Sequence, residues 1–149
     1  MAGFSILKMD FKELGIKQEI IKALSEEDIV EPTDIQAKVI PEIKSGNDII
    51  AISKTGSGKT IAFGSTILYN IRSGQGVQVL IVVPVRELAE QVAREIRKLT
   101  KYMKFSTAVV YGGVSLQPQI FQIKKEKYSW NKMTILLSRI NFINTIYKF

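Results

Sequence analysis

Residues 51–60 read AISKTGSGKT, from Ala51 to Thr60, and the flanks of that stretch decide the fold. An apolar run, Ile49 to Ile52, leads into it, and Ile61 to Ile71 reads as helix behind it. A strand, a glycine-rich turn and a helix in that order form the setting of a phosphate-binding loop. Gly56 and Gly58 let the backbone curl so that successive N–H groups point inward at an anion. The start of the following helix adds its partial positive charge at the same spot. Lys59 brings a full charge to outer phosphates, and the Thr60 hydroxyl is placed to ligate a magnesium ion. The strict pattern asks for glycine at position 53, where this chain has Ser53, so a flexible surface turn is the competing reading.

Composition narrows the chemistry. A length of 149 residues, 46% of them apolar, suits one globular domain with a core of its own. Neither cysteine nor histidine occurs, which removes disulfides, thiolate metal sites and the commonest general base. Chemistry must therefore run on carboxylates, Lys, Arg and a phosphate-bound ion. The start, MAGFSILKMDF, lacks the basic and apolar regions of a secretory signal. No uninterrupted apolar run approaches the ~20 residues of a membrane span. A cytoplasmic location without a membrane partner is the expectation, and composition does not speak to oligomeric state. The net charge of +7 is unevenly spread, because Lys127, Lys132, Arg139 and Lys148 lie in a stretch, 127–149, that holds no acid.

In chain order, Leu14, Ile20, Ile21 and Leu24 suit a short helix ending near Ser25. Thr33 and Gln36 form a capping-box pattern ahead of a helix with Ile35, Val39, Ile40 and Ile43 on one face and a break or kink at Pro41. Asp48 to Ile52 is expected as the strand that feeds the loop. After the loop helix, Val77 to Val83 reads as a strand covered on both faces. A second helix follows Pro84-Val85-Arg86, with Leu88, Val92, Ile96 and Leu99 on one side. Phe105 to Tyr111 is a third strand ended by Gly112-Gly113, and Ser115 to Glu126 reads as helix with Pro118 in its first turn. Strands alternating with helices predict an α/β fold with a parallel, doubly wound sheet. From Lys127 onward the texture changes, with no Gly, Pro, Asp or Glu and no clean period. The domain is therefore expected to span 1–126, with 127–149 an atypical tail outside it.

These blocks together resemble the amino-terminal RecA-like domain of a DEAD-box ATP-dependent RNA helicase. The matching residues run from about Phe11 to Gly113. Phe11 with Pro32-Thr33-Asp34-Ile35-Gln36 is similar to the family's Q motif, Ser53 to Thr60 to its motif I, Pro84 to Gln91 to its motif Ia, and Gly112-Gly113 to its glycine doublet. The resemblance implies a P-loop NTPase fold, ATP with Mg²⁺ as cofactors and RNA as partner. It implies an ATP pocket of Phe11, Gln36, Thr55, Gly56, Ser57, Gly58, Lys59 and Thr60. Lys59 and Thr60 would be its catalytic residues, and Thr60 its metal ligand. A glutamine amide matches the N6 and N7 edge of adenine, where guanine offers two acceptors, and Phe11 would stack on the base. The competing readings are a plain capping residue for Gln36 and core packing for Phe11. The RNA contacts would fall on Pro84, Arg86, Gly112 and Gly113, with weak, salt-dependent binding, although Arg86 could equally be a solvated or paired charge. Val85 stands where the family usually has Thr.

The departures are as informative. A TPGR-like motif, the DEAD tetrad and SAT are expected downstream in such a domain and do not occur in these 149 residues. After Lys59 the only carboxylates are Glu87, Glu90, Glu95 and Glu126, and none ends an apolar strand. The sheet is thus expected to be incomplete, with an open apolar edge that Ile135 to Tyr147 is apolar enough to cover. The expected identity is the amino-terminal part of such a helicase, with its reading altered near Lys127 and no hydrolysis or unwinding of its own. A non-catalytic nucleotide-binding module is the alternative. Another P-loop enzyme, such as a small-molecule kinase, fits less well.

Overall fold

The computed structural model describes residues 9–71, 77–127 and 133–139. The chain divides into two compact units, Met1–Tyr69 and Asn70–Phe149.

The first unit holds three helices. α1, Gln18–Ser25, buries Ile20, Ala23 and Leu24. α2, Asp34–Lys44, buries Gln36, Val39 and Ile40, and it runs through Pro41 without the expected break. α3, Lys59–Asn70, follows the glycine-rich turn and buries Ile61, Ala62 and Leu68. Each fully buried Ile or Leu contributes about 1.5–3 kcal/mol relative to exposure. Two lysines join these elements. Lys44 Nζ donates to the carbonyls of Leu14 (2.9 Å) and Gly15 (3.2 Å), and Lys17 Nζ donates to Leu68 O at 2.9 Å. Both ammonium groups face the Tyr69 ring, at 4.6 Å and 5.9 Å from its centre. Polar groups therefore tie the end of α2 and the segment before α1 to the end of α3.

The strand expected at 48–52 does not form. No described residue pairs with the backbone there, and Ile50 and Ile52 are 94% and 90% exposed. Apolar residues alone cannot make a strand: the backbone needs a ladder partner.

The second unit is a βαβ arrangement. β1, Val77–Val83, leads to α4, Arg86–Leu99; β2, Phe105–Val110, leads to α5, Leu116–Lys127; β3, Met133–Arg139, closes the series. The sheet order is β1-β3-β2 and both pairings are parallel. Val79 pairs with Ile135 and Val83 with Arg139 on one side, while Phe105 pairs with Met133 and Val110 with Ser138 on the other. α4 is strongly amphipathic and buries Ala89, Val92, Ala93, Ile96 and Leu99. Its Glu87 in the first turn, with Arg97 and Lys98 in the last, complements the helix dipole.

Two expectations change here. β3 comes from the 127–149 stretch that composition sets apart, yet it is the middle strand of the sheet. A central parallel strand needs a run of apolar residues rather than alternation, and MTILLSR supplies one. The described part of Ile135 to Tyr147 is thus paired between β1 and β2, and residues 140–147 lie outside the described residues. β1, expected to be covered on both faces, is an edge strand of the sheet among the described residues, with Val77, Leu80 and Val82 exposed.

Candidate functional site

The glycine-rich turn in the first unit is built from backbone geometry. Gly56 and Gly58 have φ of +77° and +86°, a region that residues with a Cβ rarely enter. Alternating such residues with ordinary ones curls the chain into a concavity of N–H groups, and α3 begins directly behind it at Lys59. Lys59 Nζ lies within the curve of its own loop. It donates to Ser53 O at 2.7 Å, to Lys54 O at 2.8 Å and to Ser53 Oγ at 3.2 Å. Ser53 Oγ also meets Ser57 Oγ at 2.6 Å, so the residue that departs from the strict glycine pattern helps hold the loop's shape.

Gln36 is joined to the same loop. Its side chain is 1% exposed, Oε1 accepts from Thr33 N–H at 2.9 Å, and Nε2 donates to Gly58 O at 3.1 Å. The first of these bonds is the Gln36 half of the expected capping box. Thr33 adds a second tie, its hydroxyl donating to Ser57 O at 2.8 Å. A Cβ on Gly58 would run into the Gln36 amide nitrogen, so a side chain there would make that amide shift, in addition to the strain of its φ. Capping and loop contact are thus both true of Gln36. Phe11 is 2% exposed and belongs to the core, which leaves its ring no open face for stacking as it stands.

These residues fit a nucleotide triphosphate. An incoming phosphate would replace the neutral carbonyl acceptors of the Lys59 ammonium with anionic oxygens, adding ion-pair attraction to bonds whose donor is already charged. A magnesium ion fits through Thr60, half-buried in the first turn of α3. No group of three or more Asp or Glu among the described residues is arranged to hold an ion. Phosphate oxygens of the nucleotide would have to complete its shell.

In the second unit, Pro84 and Arg86 are exposed at the turn from β1 into α4. Val85 is the N-cap residue and offers no side-chain cap to the first N–H groups of α4. The Arg86 guanidinium carbon lies 4.1 Å from the centre of the Tyr111 ring. Gly112 and Gly113 follow Tyr111, Gly113 with φ of +84°. Gln119 on α5 grips Tyr111 from the side: Tyr111 N–H donates to its Oε1 at 2.9 Å, and its Nε2 donates to Tyr111 O at 3.2 Å and Ser115 O at 3.0 Å. Tyr111 and Gln119 also border a cavity of ≈ 430 Å³ with Glu90 and Arg97.

The profile of the DEAD/DEAH box helicase family matches residues 33–145, three quarters of the chain. The chain belongs to this family. The DEAD-box ATP-dependent RNA helicase RhpA of Helicobacter pylori is 41% identical over 123 residues, which cover 83% of this chain and 25% of that protein. A DEAD box protein of Methanococcus jannaschii superposes with a TM-score of 0.75 at 34% identity, over 92% of this chain and 37% of its own. The RNA helicase Prp28 of Chaetomium thermophilum, solved bound to ADP, gives 0.75 at 28% identity over 91% and 34%. The chain thus spans about a quarter of the curated relative's length and just over a third of the solved ones. The fold is the RecA-like α/β arrangement of DEAD-box proteins, with three strands among the described residues. The family match continues past Lys127, as β3 does.

The structure gathers Thr33, Gln36, Ser53 and Gly56 to Thr60 in one place, and Arg86, Tyr111 and Gly112-Gly113 in another. Tyr111 and Gln119 are additions to what the sequence offered, while Thr33 and Ser53, read there within the Q-motif and motif I blocks, gain contacts that hold the loop. Nothing in a linear pattern marks Gln119 as the partner of a residue eight positions earlier.

Proposed function

We propose that this chain is the ATP- and RNA-binding part of a DEAD-box RNA helicase, and that its 149 residues bind ATP without appreciable hydrolysis or unwinding. The observation that carries the reading is the loop in which Lys59 and the Gly56–Gly58 curl meet the Gln36 amide. ATP with Mg²⁺ would be held by Gly56, Ser57, Gly58, Lys59 and Thr60. A bound ion supplies charge neutralisation between the outer phosphates. The ADP held by the solved Prp28 supports a nucleotide in this fold. No described helix is long and apolar enough to cross a membrane, and a cytoplasmic location suits a cysteine-free RNA-binding chain.

Base selection would rest on Gln36. An amide carries two N–H groups and an oxygen with two lone pairs, so its bonds to Gly58 and Thr33 use one of each; the side chain is 1% exposed, so adenine would have to displace what covers it, as at Phe11, to reach the others. The same side chain would then link the base to the loop that grips the phosphates. Gln36→Ala is expected to erase a preference for ATP over GTP, about 1–3 kcal/mol by analogy with bidentate base readout. Competition of ATP and GTP against a fluorescent nucleotide measures this. A preference that survives the change assigns Gln36 to helix capping alone.

RNA would lie against Pro84, Arg86, Gly112 and Gly113, its backbone phosphate taken by the Arg86 guanidinium and the uncapped N–H groups of α4. Binding is expected to be weak and to fall steeply with salt, because phosphate contacts dominate it. Arg86→Ala, measured on the full chain with a single-stranded RNA at low and moderate salt, is expected to lower affinity and to reduce the salt slope by about one phosphate contact. An unchanged slope would remove Arg86 from the groove.

A further inference from the structure

We infer that Tyr111 and Gln119 position Arg86 for its phosphate, an inference that rests on the RNA-groove reading above. Arg86 is exposed at the first residue of α4, and a free arginine side chain there samples many rotamers. Its guanidinium instead lies over the half-buried Tyr111 ring, 4.1 Å from the centre. A cation on an aromatic face keeps its edge N–H groups open, so the stack fixes the arginine without using up its donors.

The tyrosine is itself fixed by an unusual route. It lies one residue beyond β2 and directly before Gly112 and Gly113, where the chain turns away from the sheet. With no ladder partner among the described residues, Tyr111 would follow the glycines. The Gln119 amide replaces the ladder: its oxygen accepts the Tyr111 N–H and its nitrogen donates to the Tyr111 carbonyl, at 2.9 Å and 3.2 Å. One side chain thus presents the donor and acceptor that a neighbouring strand would present. The third bond, to Ser115 O at 3.0 Å, anchors that amide to the start of α5. The order of dependence is α5 to Gln119, Gln119 to Tyr111, and Tyr111 to Arg86. Only the last touches RNA.

The test is single-stranded RNA binding by the full chain across a salt series, with Arg86→Ala, Tyr111→Leu, Tyr111→Phe and Gln119→Ala, singly and with each change combined with Arg86→Ala. Tyr111→Leu and Gln119→Ala are expected to weaken binding by about two- to fivefold, the size of one exposed cation–π contact. Tyr111→Phe, which keeps the ring face, is expected to bind as the parent does. Neither Tyr111→Leu nor Gln119→Ala should weaken binding further once Arg86 is gone, because their effect passes through it. Loss of the same size with and without Arg86 overturns the inference, as does a phenylalanine no better than leucine. Should Tyr111→Leu unfold the chain, the phenylalanine and Gln119→Ala variants still decide the question. If Arg86→Ala itself changes nothing, the groove reading fails first; if it weakens binding while the Tyr111 and Gln119 variants do not, this inference fails alone.

Discussion

Replacing Lys59 with alanine is expected to weaken ATP binding by about 10- to 100-fold while leaving AMP binding nearly unchanged, the loss of one charge-assisted contact of roughly 1.5–3 kcal/mol. The difference between the nucleotides follows from reach. Lys59 lies at the first residue of α3, inside the loop's curve, where outer phosphates would rest; AMP has none to offer. The fold should survive the change. Among the described residues the ammonium contacts the Ser53 and Lys54 carbonyls and the Ser53 hydroxyl, on a half-buried side chain rather than in the core. Calorimetric titration of both nucleotides into parent and variant measures the effect. Equal ATP affinity in the two would end the phosphate-loop assignment.

A second large effect is expected at Gly58. Alanine there must adopt φ near +86°, which costs about 1–2 kcal/mol. Its Cβ would also displace the Gln36 amide, leaving the Gly58 carbonyl and the Thr33 N–H without that partner, a further ~1–3 kcal/mol. Gly56 provides the control, because its φ of +77° carries a similar strain but nothing lies within 4 Å of its added Cβ. Gly58→Ala should therefore lower the midpoint of thermal unfolding clearly more than Gly56→Ala, and it should lose ATP binding with it. Equal effects would mean that the Gln36 contact contributes nothing.

Much of this was legible in the sequence because local chemistry decides it. The loop needs two glycines, a lysine and a helix start, and TGSGKT contains all of them in order. Thr33 and Gln36 announced their cap three residues apart. What the sequence could not convey was which partners complete each element. Asp48 to Ile52 has a strand's composition and no strand neighbour among the described residues, so it forms no strand, and Ile50 and Ile52 are exposed. The reverse holds at 133–139, where the biased composition of the surrounding tail hid a strand that has neighbours on both sides. Gln36 and Phe11 were each open to a structural or a nucleotide role from sequence alone. Burial moves Phe11 into the core, while Gln36 has one foot in its helix cap and the other on the loop. Tyr111 and Gln119 escaped notice because an amide standing in for a strand leaves no periodic trace.

Under the proposed function, these 149 residues would hold ATP without turning it over. Transfer of phosphate to water needs a positioned metal, an oriented water and neutralisation of charge on the transferred group. The loop offers Lys59, Thr60 and its N–H groups for the last of these and one ligand for the first. The carboxylates after Lys59 that the sequence offers are Glu87, Glu90, Glu95 and Glu126, all within α4 or α5 and none at the end of a strand. Without histidine, no imidazole can act as the base. Steady-state phosphate release by the intact chain, with and without single-stranded RNA and with Lys59→Ala as the contamination control, tests this most directly. Release at the level of the control is expected in both conditions, under nucleotide concentrations where calorimetry shows ATP bound. RNA-stimulated release that Lys59→Ala abolishes would contradict it.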